Sequence, residues 1–160
     1  EAVAGRPVPV EEVKRGFEHI HPRAQQIIEH GSNWKLWVLC DRDPVDRWVD
    51  GRVALLGDAA HPMLPFLAQG GAMAIEDAAV LAKCLANARQ PVSSRLARYS
   101  ALRLARVRHA QAAAQRNGER YHWRGAKARL RDLGLRLIGG ERLLRRYGWL
   151  YGWRIGPDRT

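Results

Sequence analysis

Apolar residues recur with helical spacing at the start of the chain. Val13, Phe17 and Ile20 follow one another at intervals of four and three, which predicts a helix. Pro22 interrupts this pattern and suits the first position of a second short helix, and Gly31 suits its end. We therefore expect two short helices in this part of the chain.

Two short apolar runs come next and predict β-strands. The run 34–40 is rich in aromatic and β-branched residues, and Asp41 ends it. The run 52–57 is apolar after its first residue and closes with Gly57, a pattern typical of a strand buried on both faces in a parallel sheet. We expect the residues after this strand to lie where open α/β sheets bind their ligands.

Helical patterns dominate the rest of the chain. Residues 72–88 place a set of apolar side chains on one face: Met73, Val80, Leu81, Cys84 and Leu85. Residues 93–117 predict a long amphipathic helix, capped by Ser93 or Ser94. Residues 130–153 show a weaker helical pattern that several glycines interrupt.

The positive charge is concentrated in the C-terminal half. The net charge is +11, and 19 of the 27 Lys and Arg residues lie in residues 81–160 with only 4 of the 16 acids. Five arginines lie along one side of the long predicted helix: Arg95, Arg98, Arg103, Arg106 and Arg116. We interpret this stripe as a solvated helix face, while contact with nucleic acid or an acidic partner stays open.

Composition narrows the class of protein further. With 46% hydrophobic and 27% charged residues, the chain is an ordinary globular sequence rather than a fibrous or disordered one. Its longest stretch without a charged residue, 59–75, is short and contains two prolines, so we expect no membrane span. Cys40 and Cys84 show neither disulfide nor metal-ligand spacing, so we expect no metal and a cytoplasmic location.

The segment after the second apolar run holds the candidate chemistry. Gly57 leaves room for a close approach, and Asp58 offers a carboxylate that can accept hydrogen bonds from sugar-like hydroxyls. A loop containing Pro65 then ends at Gly70 and Gly71, where a helix starts. Free amides at a helix start stabilise an anion. This order suits a polyhydroxylated cofactor with a head that becomes anionic.

The sequence between Trp34 and Leu85 resembles the second FAD-binding motif of the single-component, FAD-dependent aromatic hydroxylases. The motif is carried by Gly51-Arg-Val-Ala-Leu-Leu-Gly-Asp58-Ala-Ala-His61-Pro62, then Pro65, Gln69-Gly70-Gly71 and Glu76-Asp77-Ala78. It looks most like the salicylate, 3-hydroxybenzoate and 6-hydroxynicotinate hydroxylase branch. The family's first FAD motif, GxGxxG, is absent, so we interpret the chain as a C-terminal fragment.

The resemblance implies an α/β fold, namely the C-terminal part of an FAD/NAD(P)-binding, Rossmann-like flavoprotein monooxygenase fold with long C-terminal helices. It assigns residues 1–50 to the end of the substrate-binding region and 51–117 to the second part of the FAD-binding domain. Residues 118–160 are then a C-terminal helical tail.

The resemblance also implies a set of site residues. In the family, the Asp at this position binds the ribityl chain of FAD, the amides after the loop face the flavin ring, and the Pro lies beside the substrate, here Pro65. The cofactor-binding positions expected by resemblance are Gly57, Asp58, Gln69, Gly70, Gly71 and Ala72. We expect His61 to shape the loop, and Glu76 and Asp77 to be first-turn acids that the helix dipole stabilises. The catalytic residues stay unknown.

The implied function is a monooxygenase that hydroxylates a small aromatic or hydroxypyridine carboxylate with FAD, NADH or NADPH, and O2. Two alternatives stay open: another FAD-dependent oxidoreductase of the same superfamily that acts on a non-aromatic substrate, and a basic, helical nucleic-acid-binding module. We expect neither a membrane nor a nucleic-acid partner and leave a homodimer open. We expect the chain alone to be inactive, because the first FAD motif is absent.

Overall fold

A computed structural model describes residues 5–156 of the chain. They belong to two compact units, whose boundary lies between Leu39 and Cys40. None of the helices in this described part is long and apolar enough to cross a membrane.

The first unit combines two short helices with a two-stranded antiparallel sheet. Its elements, in chain order, are β1 (Arg6–Pro7), α1 (Val10–Gly16), α2 (Pro22–His30) and β2 (Lys35–Leu36). The two strands pair so that Arg6 lies opposite Leu36. As predicted, Pro22 is the first residue of the second helix and Gly31 caps its end.

The strand predicted over residues 34–40 is only partly confirmed, because β2 covers two of these residues. Trp37, Val38 and Leu39 follow it, and each is more than half exposed. A strand needs a neighbour for its backbone groups, and β1 provides only two residues for pairing.

The second unit consists of a short hairpin followed by helices. Its elements are β3 (Val49–Asp50), β4 (Val53–Ala54), two 3-10 turns (Gly57–Ala59 and Pro65–Leu67), α3 (Gly70–Ala86), α4 (Val92–Tyr121), α5 (Gly125–Ile138), α6 (Gly140–Arg146) and α7 (Gly148–Tyr151). The long predicted helix is confirmed as α4, which has 30 residues. Its N-cap is the extended Pro91, so the prediction of Ser93 or Ser94 as the cap is wrong; both serines already lie inside the helix.

The strand predicted over residues 52–57 is wrong in its length and its pairing. β4 has two residues and pairs antiparallel with β3 across a turn at Gly51. Leu55 N extends this antiparallel pairing by donating to Trp48 O at 2.8 Å. Val53 is 68% exposed, so the strand is not buried on both faces. A continuous apolar run shows that a segment is partly buried, but it does not determine the direction of the neighbouring strand.

The core of the second unit lies where α3 packs on α4. Met73, Val80 and Cys84 are buried on the predicted face of α3, while Leu85 is 39% exposed. The buried apolar cluster comprises Trp48, Ala60, Leu67, Met73, Val80, Cys84, Tyr99, Val107, Ala110, Ala113, Ala114 and Leu150. Three of these are alanines of α4, whose small side chains let neighbouring backbone approach the helix closely.

The C-terminal aromatic run packs on α4 through Arg106. The Arg106 guanidinium donates to Trp149 O at 2.7 Å and to Leu150 O at 3.0 Å, and it lies 4.9 Å from the centre of the Trp153 ring. His109 stacks on Trp149 with ring centres 3.9 Å apart. A cation that binds the carbonyls of a short helix stabilises its end, which explains the position of α7.

Gly57 and Gly51 provide a matched test of backbone constraint. Both have positive φ, +58° and +56°, but a Cβ at Gly57 would lie 3.2 Å from Ala74 Cβ, whereas one at Gly51 would meet no atom within 4 Å. We expect Gly51→Ala to lower the free energy of unfolding by about 1 kcal/mol, the cost of the left-handed conformation. We expect Gly57→Ala to lower it further. Equal losses in urea unfolding would contradict the close packing of Gly57 on α3.

Candidate functional site

A 3-10 turn after β4 presents the predicted carboxylate. Gly57 is buried and opens the turn, and Asp58, its second residue, is exposed. The backbone amides of Ala60 and His61 both donate to Gly57 O at 2.9 Å, which closes the turn. None of the hydrogen bonds or ion pairs described for residues 5–156 involves the Asp58 side chain, so it faces solvent as an acceptor without a protein partner.

The helix α3 begins beside this carboxylate. A Cβ at Gly70 would lie 3.9 Å from Asp58 Oδ1, so the two residues belong to one site. Gln69 is the N-cap, and its carbonyl accepts the first helical hydrogen bond from Met73 N at 2.9 Å. The three amides of Gly70–Ala72 precede that bond and therefore have no partner inside the helix.

The first turn of α3 is open to solvent. Gly71 and Ala72 are exposed, and a Cβ at Gly71 would meet no atom of residues 5–156 within 4 Å. The amides here carry the partial positive charge of the helix dipole. A flat group with a carbonyl or anionic edge can therefore approach this backbone while its hydroxyls bond to Asp58. The structure thus brings Asp58 and the first turn of α3 together, whereas the predicted cofactor-binding position Gly57 is buried and packs closely on Ala74 of α3.

The loop between the turn and α3 is held in place by α4. Pro65 is exposed at the first position of the second 3-10 turn. Gln111 Nε2 donates to Pro62 O at 3.2 Å, and Asn117 Nδ2 donates to Phe66 O at 3.2 Å. Motif and periodicity do not predict a role for these two buried side chains. Both are polar residues among the apolar residues of α4, and this pattern would have predicted that they are buried.

A buried ion network lies beneath the turn. Asp77 is fully buried, and its Oδ1 accepts a hydrogen bond from Arg103 Nε at 2.7 Å. Its Oδ2 accepts one from Gly57 N at 3.2 Å and lies 2.5 Å from His61 Nε2. The prediction of a first-turn acid is wrong for Asp77, because α3 begins seven residues earlier, at Gly70, and the side chain points into the core.

Glu76 joins the network at its outer side. It lies six residues after Gly70, where α3 begins, so the first-turn prediction is wrong for this acid too. Its carboxylate binds Arg106 through two contacts of 2.7 Å, and Arg103 NH1 lies 2.8 Å from Glu76 Oε2. Arg103 is fully buried and only 10% of the Arg106 side chain is exposed, so the predicted solvated stripe is wrong for both. They turn inward because the carboxylates of α3 neutralise them, whereas Arg116 on the same stripe is exposed.

His61 is enclosed between the turn and Trp48, whose ring centre lies 5.3 Å from that of His61. Because the ionised carboxylate of Asp77 is an acceptor, His61 Nε2 donates to it. His61 Nδ1 is buried and has no hydrogen-bond partner within residues 5–156. The geometry agrees with the prediction that His61 shapes the loop.

The surroundings of Asp77 favour its ionised form. Burial raises the pKa of the Asp77 carboxyl, but hydrogen bonds with His61 and Arg103, together with the Arg103 charge, outweigh it and hold that pKa below its ordinary value. Tyr99 OH donates to Leu55 O at 3.1 Å nearby. Burial, with the Asp77 charge, raises the pKa of Tyr99. Near neutral pH, Asp77 is therefore charged and Tyr99 is not.

Asp77 makes the stability of the fold sensitive to acid. Its folded pKa lies below the ordinary value of 3.8, so its stabilising contribution is complete above that value and is lost as pH falls through the folded pKa. We expect the unfolding free energies of the native chain and Asp77→Asn to converge as pH falls through this range. Urea unfolding at about pH 6 and about pH 3 measures the convergence. A difference that stays constant would contradict the assignment.

Comparison with known proteins identifies the family. The chain matches the FAD binding domain over residues 6–115. It is 45% identical over 156 residues to 3-hydroxybenzoate 6-hydroxylase 1 of Aquipseudomonas alcaligenes, a match that covers 95% of this chain and 39% of the relative. The resemblance seen in the sequence motifs is thereby confirmed.

Solved structures confirm the predicted fold. A salicylate hydroxylase in complex with its substrate matches 100% of this chain and 41% of its own, with a TM-score of 0.74 and 27% identity. HpxO of Klebsiella pneumoniae, solved with FAD and uric acid, matches 86% of this chain and 36% of its own, with a TM-score of 0.77 and 30% identity. This chain, which spans about two-fifths of the length of these proteins, belongs to the FAD binding domain family.

Proposed function

We propose that this chain is the part of an FAD-dependent aromatic-ring monooxygenase that holds the flavin ring and the ribityl chain. The whole protein would hydroxylate a small aromatic or hydroxypyridine carboxylate with NADH or NADPH and O2. The observation that carries the proposal is the Asp58 carboxylate, which has no partner in the described part of the chain and lies beside the open first turn of α3. The relatives named for 3-hydroxybenzoate and salicylate support the substrate class.

The residues present fit FAD. Asp58 supplies an acceptor for the ribityl hydroxyls, and the amides of Gly70–Ala72 supply donors for the carbonyl edge of the ring. Gly71 leaves open the space that a side chain would fill. Gln69 completes the cofactor-binding set at the N-cap, and Pro65 would lie beside the substrate. When bound, FAD would supply the redox chemistry that links the nicotinamide cofactor to O2.

The chain's own residues would bind and orient the cofactor. The positive end of α3 would stabilise negative charge at the edge of the ring, and Asp58 would accept hydrogen bonds from the sugar-like chain. No catalytic acid or base is assigned among the described residues. His61 does not suit that role, because it is fully buried and its Nε2 is bonded to Asp77.

Other parts of the proposal follow from the family. Residues 1–50 would end the substrate-binding region, 51–117 would complete the FAD-binding domain, and 118–160 would form the helical tail. A cytoplasmic location and a homodimer stay predictions.

A substrate outside the benzoate class is the second candidate, since HpxO was solved with uric acid. A screen of NAD(P)H consumption across both classes of substrate separates the two. The nucleic-acid module is disfavoured, because Arg103 and Arg106 are paired with the carboxylates of α3 and do not offer a free positive face.

Asp58→Ala tests the proposed ribityl contact. In the full-length protein that contains this chain, we expect FAD affinity to fall about 10- to 100-fold, since a hydrogen bond to a charged group contributes about 1.5–3 kcal/mol. Stability should barely change, because the Asp58 side chain is exposed and unpartnered. FAD titration and urea unfolding measure both, with exposed Asp43→Ala as the control. Unchanged FAD affinity would overturn the assignment of Asp58.

Gly71→Val tests the proposed contact between α3 and the ring. The backbone tolerates a side chain there, but the side chain would push the ring away from the amides. We expect the flavin reduction potential to fall by roughly 6–40 mV, as the dipole contributes about 0.3–2 kcal/mol and about 30 mV corresponds to 1.4 kcal/mol.

Gly140→Val is the matched control for this change. Gly140 is also an exposed helix-start glycine whose Cβ would meet no atom within 4 Å, and α6 carries none of the proposed flavin contacts. We expect its potential to stay at the native value. If both variants still bind FAD and have equal flavin reduction potentials, the assignment of this helix start to the flavin ring is contradicted.

A further inference from the structure

We propose that Asp77 is a positioning residue for the flavin site: from inside the core, it sets where Asp58 lies relative to the first turn of α3. This inference rests on the proposed function. Asp77 is fully buried and does not reach the site itself. It acts through the two residues that flank the exposed part of the turn.

The two oxygens of Asp77 have separate partners. Oδ1 accepts from Arg103 Nε at 2.7 Å, which fixes the carboxylate against α4. Oδ2 contacts Gly57 N at 3.2 Å and His61 Nε2 at 2.5 Å. Gly57 immediately precedes Asp58 and His61 follows it three residues later, so a single oxygen holds both ends of the turn that carries the ligand-facing carboxylate.

The same helix carries the other half of the site. Asp77 lies about two helical turns after Gly70, so the buried carboxylate and the helix start belong to one continuous helix, α3. The turn is therefore fixed to the helix whose first amides would face the flavin ring. If the turn moves relative to α3, the spacing between the Asp58 carboxylate and those amides changes with it.

Position 77 needs a side chain that accepts hydrogen bonds at both of its terminal atoms, which a carboxylate does and an amide does not. Gly57 N, His61 Nε2 and Arg103 Nε are all donors, so each needs an acceptor. An asparagine at position 77 has one oxygen and one NH2 group, so it would place donor against donor on one side. Asp77→Asn therefore keeps the volume of the side chain while it breaks either the Arg103 contact or the hold on the turn.

Glu76 supplies a matched control. It belongs to the same helix and the same ion network, with contacts to Arg103 and Arg106. None of the contacts described for it reaches Gly57 or His61. Glu76→Gln should therefore weaken the network without releasing the turn, which separates a positioning role from a purely structural one.

The experiment compares Asp77→Asn, Glu76→Gln and the native protein in full-length form. We expect both variants to unfold at a lower urea concentration. Only Asp77→Asn should speed hydrogen exchange at the Gly57 amide and raise the Kd for FAD, by about tenfold, with a shifted flavin reduction potential. Equal effects of the two variants on the Kd for FAD, or an unchanged Kd in Asp77→Asn, would overturn the positioning role.

His61→Leu keeps the proposal testable if Asp77→Asn fails to fold. Its side chain cannot donate a hydrogen bond, so it removes one of the two holds on the turn and leaves the Arg103 charge paired. We expect a smaller rise in the Kd for FAD, again with Glu76→Gln close to native, and an unchanged Kd would count against the proposal.

Asp58→Ala distinguishes a failure of the proposed function from a failure of the positioning role. If it leaves the Kd unchanged, the proposed function fails, whereas slow exchange at Gly57 in Asp77→Asn contradicts the hold on the turn itself.

Discussion

The pairing of Arg103 with Asp77 inside the core is the interaction around which the second unit is arranged. Removing two charges from water is costly, and here the cost is offset by further contacts: Glu76 at 2.8 Å, the Met73 carbonyl at 3.4 Å and the Trp153 ring. Removing one partner of such a pair typically costs about 3–5 kcal/mol. Because another alignment of α3 on α4 would leave these buried charges unpaired, we expect the pair to disfavour it.

The candidate site depends on that alignment because its own groups are weakly held. Asp58 is exposed and has no partner among residues 5–156, and the first amides of α3 have no helical acceptor. Such groups can bind one ligand together only if buried contacts fix the distance between them. Asp77 fixes the turn through the Gly57 amide. Gln111 and Asn117 fix the loop through the carbonyls of Pro62 and Phe66. Buried contacts thus prepare an open surface for a cofactor.

The sequence predicted what depends on local pattern. Pro22 at a helix start and the placement of Asp58 next to the glycines of α3 follow from periodicity and motif spacing, and the structure agrees. The burial of Asp77 could not be predicted in this way, since a carboxylate enters a core only when a cation reaches it, and Arg103 lies 26 residues further along the chain. The pairing of β4 likewise depends on a neighbouring strand that an apolar run does not specify.

The most direct test of this account is an NMR experiment that detects scalar coupling across a hydrogen bond, between the Gly57 amide nitrogen and the side-chain carboxyl carbon of Asp77. That coupling exists only if the buried carboxylate holds the turn that carries Asp58. We expect to observe it in the native protein, together with slow exchange of the Gly57 amide. An absent coupling, with the amide exchanging as fast as one in an unfolded chain, would contradict the account.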